Sequence, residues 1–182
     1  MPRKADARLE GRIVDAAYQL WSLGGERALT MRAVASAAKT TTPTLYERFK
    51  DKRDLLVFLR ERARSRMFQA LQQGRSAVEV CELGLRFMLS NGNEYLLLTS
   101  DWADRMGRKE PLPSYEFLKG KLAQDLGGTA AEYSQLAMAL VALVHGTALL
   151  LLGSEEDGQL KKELEGACLE GCRRLIESAG RR

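Results

Sequence analysis

Histidine is almost missing from this 182-residue chain: His145 stands alone, beside three cysteines, Cys81, Cys168 and Cys172, that form no CxxC pair. That shortage excludes the ligand spacings of zinc sites and the disulfide framework of a small secreted domain, and reduced thiols in a cytoplasm are expected. No phosphate-cradling glycine loop occurs, and the single histidine has no nucleophile arranged beside it, so no enzyme, metal or cofactor is expected. The first residues, MPRKADARLEGR, hold charge but no apolar run, so a secretory signal is not expected. Nor does any stretch show the sustained alternation of a strand, and every periodic segment reads as helix.

What is present is 45% apolar and 29% charged residues, the balance of a soluble globular chain. The net charge of +4 hides an asymmetry: residues 1–73 carry 15 Lys or Arg against 8 Asp or Glu, while residues 74–182 carry 13 against 16. A polyanion partner for the front of the chain follows from that excess, although membranes also attract basic surfaces.

Leu9, Ile13, Ala16, Ala17, Leu20 and Trp21 form an apolar stripe at helical spacing, ended by Gly24 and Gly25. Thr30 suits the N-cap of a short second helix that ends near Ala38, and Lys39 to Thr41 form a turn. A third helix is expected over roughly Thr42 to Phe49, with Pro43 in its first turn and Leu45 and Phe49 pointing inward. Asp51 then caps a long fourth helix with Asp54 as its capping-box acid, and its arginines at 60, 62, 64 and 66 read as a solvated face. Further helices are expected near 76–90, 93–106, 113–126, 130–152 and 157–179, about nine in all.

The stretch from Thr41 to Lys52, TTPTLYERFKDK, carries the chemistry. Thr42, Thr44 and Arg48 present donors, acceptors and a methyl suited to base edges, and Tyr46 offers a phenol to a phosphate oxygen. Helix starts at Thr30 and Lys52 offer free N–H groups and a positive dipole end. Glu47 either accepts from a cytosine amino group or pairs with Arg48 or Lys50. Arg3, Lys4 and Arg8 suit an arm along DNA as well as they suit a solvated tail.

Taken together, IVDAAYQLWSLGGERALTMRAVASAAKTTTPTLYERFKDKRDLL at Ile13 to Leu56 resembles the TetR family of bacterial transcriptional regulators. The resemblance implies an all-α protein: a three-helix helix-turn-helix DNA-binding domain at 1–55 and a helical effector-binding and dimerisation domain at 56–182. It implies a repressor that binds a double-stranded, near-palindromic operator as a homodimer and leaves it when an unknown small molecule binds. Thr30, Lys39, Thr41, Thr42, Pro43, Thr44, Tyr46, Arg48 and Lys52 are then the DNA-binding residues. One departure stands out, because the family usually has glycine then a valine-like residue in the turn where this chain has Lys39 and Thr40. A left-handed backbone there costs a lysine roughly 1 kcal/mol, so a slightly strained or altered turn is expected. The competing reading is a ligand-sensing or protein-interaction module whose altered helix-turn-helix no longer binds DNA specifically.

Leu136 to Leu152, LAMALVALVHGTALLLL, is uncharged and apolar all round. It is short for a bilayer and lacks a basic flank, so burial in a soluble assembly is expected and a membrane span is not. The segment after it carries a matching stripe, and Leu136, Leu140, Val144, Leu151, Leu164, Cys168, Cys172 and Leu175 are the expected dimer interface. Phe87, Met88, Tyr95, Trp102, Met106, Tyr115, Phe117 and His145 are candidates for an apolar effector cavity, although such residues are individually more often ordinary core, and a lone histidine more often a packed one bonded to a backbone carbonyl.

Overall fold

The computed structural model describes residues 7–99, 105, 107, 110, 112–153 and 158–181. These form α1 (Ala7–Ala28), α2 (Met31–Ala37), α3 (Thr42–Tyr46), α4 (Lys52–Leu71), α5 (Ala77–Ser90) and α6 (Gly92–Thr99). There follow α7 (Pro113–Leu126), a 3-10 turn (Ala130–Tyr133), α8 (Ser134–Gly153) and α9 (Gly158–Ala179). Among the described residues there is no strand, so the chain is all-α as its periodicity predicts.

Two compact units share the chain. The first holds α1 to α3, the front of α4 through Arg64, and α6; the second holds the rest of α4 with α5 and α7 to α9. This partition differs from a cut at residue 55, because Leu59, Ala63 and Leu97 all bury in the first core.

In the first unit the expected stripe of α1 turns inward, with Ile13 and Ala17 fully buried and Trp21 nearly so. From α4, Leu55, Leu59 and Ala63 follow at four-residue spacing and are each 0% exposed. Leu45 and Phe49 complete this core, and burying such side chains stabilises by about 1.5–3 kcal/mol each. Phe58 is half-exposed and meets the Phe49 ring edge-on at 5.2 Å. Gly25 breaks α1 with φ 58°, a backbone that glycine adopts without penalty, so only a last turn follows it. Against that break sits the start of α6. Trp21 Nε1 donates to the Asn93 carbonyl at 2.6 Å, Asn93 Nδ2 donates to the Ser22 carbonyl at 2.9 Å, and Ser22 Oγ donates to the buried Glu94 carboxylate at 2.9 Å.

The second unit is built on α5, whose Ala77, Val80, Cys81, Gly84, Leu85, Phe87 and Met88 are buried. Its first turn is capped from a distance, since the Ala77 N–H donates to Asp125 of α7 at 2.6 Å. From α8 come Ala137, Leu140, Val144, Ala148 and Leu151, and from α9 come Cys168, Cys172 and Ile176. Of the residues expected at a dimer interface, Leu140 and Cys172 are 0% exposed, and Val144, Leu151 and Cys168 are buried too, within the protomer's own core. Leu136 and Leu164 are half-buried, and Leu175 is exposed.

Candidate nucleic-acid interface

The starts of α2, α3 and α4 are each fixed by a side chain that the sequence supplies. Thr30 has an extended backbone, and its hydroxyl accepts from the Ala33 N–H at 3.1 Å, capping α2. At the other end of α2, Thr40 N–H donates to the Ala35 carbonyl at 2.9 Å and Lys39 N–H to the Ser36 carbonyl at 3.1 Å. That pair of bonds is the Schellman closure of a helix, which needs a left-handed residue at the position Lys39 holds. Lys39 adopts it, with φ 53°, the one non-glycine positive φ among the described residues. The turn therefore keeps the glycine-like geometry despite the lysine.

Thr41 opens α3 in the same way, its hydroxyl accepting from the Thr44 N–H at 3.3 Å and lying 2.9 Å from the Thr44 hydroxyl. The helix is shorter than expected, running Thr42–Tyr46, with Glu47 and Arg48 in the turn that follows. Five residues cannot hold a helix by themselves. Buried Leu45 inside it and Phe49 just beyond anchor it instead. That anchoring leaves Pro43 and Tyr46 exposed, Tyr46 by 50%, and Thr42 and Thr44 half-exposed. Arg48 is partly buried, and its Nε has no hydrogen-bond partner among the described residues.

Asp51 caps α4 by accepting from the Asp54 N–H at 2.9 Å. That bond holds its carboxyl below the usual carboxylate range. Asp54 reaches back to the Lys50 N–H at 3.1 Å rather than to the cap itself. Lys52, the first residue of α4, is not a freely solvated lysine. Its ammonium donates to the Glu26 carbonyl at 3.3 Å and lies 3.4 Å from the Glu26 carboxylate. No local pattern marks Glu26, which joins the site across the fold.

Thr30, Lys39, Thr41 to Thr44, Tyr46 and Lys52 thus all sit at or beside the ends of α2, α3 and α4. Of the arginines of α4, Arg62 pairs with Asp15 and lies 5.1 Å over the Tyr18 ring, Arg64 pairs with Glu61, and Arg60 is part-buried rather than fully solvated. Arg3 and Lys4 lie outside the described residues, as do Trp102 and Met106 of the expected effector cavity. The rest of that set divides between the units: Tyr95 is fully buried in the first, while Phe87, Met88, Tyr115, Phe117 and His145 belong to the second. Tyr115 donates its hydroxyl to the Ser134 carbonyl at 2.7 Å, and Phe117 meets Phe68 edge-on at 5.8 Å. Burial pushes the His145 imidazole down to about 4, so it is neutral near neutral pH.

Residues 13–57 match the sequence model described as bacterial regulatory proteins, tetR family. No curated protein matches the chain. Among solved structures, a protein of unknown function from Rhodococcus sp. RHA1 is similar with a TM-score of 0.70 at 20% identity, over 96% of this chain and 98% of that one. A TetR-like transcriptional regulator from Rhodococcus sp. RHA1 gives 0.61 at 21% identity, over 98% and 97%. The multidrug binding protein EbrR, complexed with imidazole, gives 0.59 at 23% identity, over 97% and 94%. At these identities the structural likenesses establish the fold, while the family match rests on the segment that holds α2, α3 and the caps. Residues 13–57 are thus similar to the tetR family of bacterial regulatory proteins, within an all-helical fold that resembles that of TetR-like regulators.

Proposed function

We infer that this protein is a cytoplasmic, bacterial transcriptional regulator that represses from a near-palindromic operator as a homodimer and leaves it when a small-molecule effector binds. The observation that carries the DNA-binding part is α3, held from below by Leu45 and Phe49 while Thr42, Thr44 and Tyr46 stay accessible. Threonine hydroxyls and methyls suit base edges in a major groove, and the Tyr46 phenol suits a phosphate. The capped helix starts at Thr30 and Lys52 add two further phosphate-compatible points. The left-handed Lys39 supports this reading over a disabled helix-turn-helix, because the turn closes with both Schellman bonds.

Dimerisation is supported by a face that the protomer leaves open. Ala139, Ala142, Gly146, Leu149 and Leu150 lie along one exposed side of α8, with Leu150 65% exposed. The segment 130–153 is long and apolar enough to cross a membrane by length and composition, and a third of its most apolar 18-residue stretch is buried in the chain. A second copy would cover this stripe, and two recognition helices related by a twofold axis read a palindrome that one alone could not specify. The fold likeness to EbrR, a multidrug binding protein seen with imidazole and with proflavin, supports an effector. That effector must favour the released state by about 1–3 kcal/mol to act as a switch.

Selection from a random pool of duplex DNA at fixed salt tests the reading. Enrichment of a palindrome supports it, and recovery of unenriched sequences overturns operator recognition.

A further inference from the structure

The ammonium that α4 presents at its first residue is already occupied. Lys52 Nζ has the Glu26 carbonyl at 3.3 Å and the Glu26 carboxylate at 3.4 Å, contacts made possible by the break at Gly25 that precedes the last turn of α1. The two lie against an open groove of about 650 Å³ lined also by Asp51, Arg53, Leu56, Val57 and Arg60. Of its two carboxylates, Asp51 is committed to capping α4, whereas Glu26 is engaged by Lys52 and has a side chain 75% exposed.

We propose that Glu26 is a built-in competitor for Lys52, displaced when a DNA phosphate reaches the start of α4, and that it thereby sets how strongly this helix start grips DNA. The inference rests on the DNA-binding reading above and adds a regulator of that same contact. An exposed ion pair contributes little to folding, so Glu26 can be neutralised without harm to the protein. A phosphate at Lys52 must both exchange with the carboxylate and approach its charge. Either effect weakens binding. Each phosphate that a protein neutralises contributes about 0.9 to the logarithmic salt slope through released counterions. A lysine already matched by a carboxylate contributes less than that full amount.

The test is a double-mutant cycle on the full chain, using Glu26→Gln, Lys52→Ala and their combination, with a short random-sequence duplex titrated over a range of salt. Glu26→Gln is expected to tighten binding by about threefold to tenfold at 0.1 M salt and to steepen the salt slope by up to about 0.9. In the Lys52→Ala background the same change is expected to leave affinity and slope nearly unmoved, with all four proteins melting alike. Unchanged or weaker binding by Glu26→Gln overturns the proposal. So does an equal gain in both backgrounds, which makes Glu26 a diffuse charge rather than a competitor for Lys52. Failure of all four proteins to bind DNA at low salt overturns the DNA-binding reading, and the proposal with it.

Discussion

Lys39→Gly is expected to make the protein more stable, and the reason lies in one dihedral angle. Lys39 sits at φ 53°, where an L side chain costs roughly 1–2 kcal/mol and glycine almost nothing. Against that gain stands the extra freedom of glycine in the unfolded chain, worth about 0.5–1 kcal/mol. The difference is a net stabilisation of about 0.5 kcal/mol, or a rise of about 1–2 °C in melting temperature for a chain of this size. Calorimetry resolves such a shift, and two further variants show whether the backbone causes it. Lys39→Ala removes the ammonium but keeps the left-handed penalty, so its melting point should match the parent. Lys39→Ile adds a β-branched side chain where crowding is worst and should lower it by several degrees. DNA titration separates charge from backbone, since Gly and Ala should lose the same phosphate contact, if Lys39 makes one, while differing in stability. A glycine variant that melts lower than the parent, or an isoleucine variant that melts with it, would refute the argument.

Leu150→Glu places a charge on the exposed side of α8 without touching the protomer's own core, so a folded monomer with weakened operator binding is expected by sedimentation velocity; a dimer would remove the α8 face from the interface. His145 is held at about 4 by burial against 6.5 unfolded, so the unfolded chain gains its proton first as pH falls. Stability should be flat above about pH 6.5, decline by up to roughly 3 kcal/mol between pH 6.5 and 4, and level off below, and His145→Gln should flatten that portion of a denaturation series. Cys81, Cys168 and Cys172 are buried; hydrogen bonding with Cys81 and burial push the Cys172 thiol up, and burial pushes up Cys168. All three should resist a thiol reagent at neutral pH until denaturant is added, and rapid labelling of the native protein would contradict the packing of α5 against α9.

What the sequence made legible was whatever is decided locally. The stripe of α1, the caps at Thr30 and Asp51, and the inward pair Leu45 and Phe49 depend on residues three or four apart. Which side of α8 turns inward was not legible, for a reason visible in α8 itself. Its buried set, Ala137, Leu140, Val144, Ala148 and Leu151, has ordinary helical spacing, but its neighbours are apolar too, so no polar face marks the phase. Only the arrival of α5 and α9 decides which stripe faces inward. In α9 the stripe through Cys168 and Cys172 was legible as a face, yet the spacing that suits a partner helix equally suits the protomer's own core. Glu26 had no local signal at all, because its partner lies 26 residues away.

The first unit gains most from being considered as a discontinuous piece of chain. α6 belongs to it although the sequence reaches α6 only after α5, and three hydrogen bonds from Trp21, Asn93 and Ser22 tie its start to the end of α1. Each is worth about 0.5–1.5 kcal/mol net, and breaking the last would leave the Glu94 carboxylate buried without its Ser22 donor. A displacement of α6 that spares these bonds must therefore take the end of α1 with it. The Gly25 break lies inside that same stretch, and a Cβ at Gly25 would come 3.4 Å from Asn93 Oδ1. One residue further along the chain, Glu26 holds Lys52. The segment from Trp21 to Glu26 thus grips α6 at one end and Lys52 of α4 at the other, and movement at either end bears on the geometry of the other through a few residues of α1.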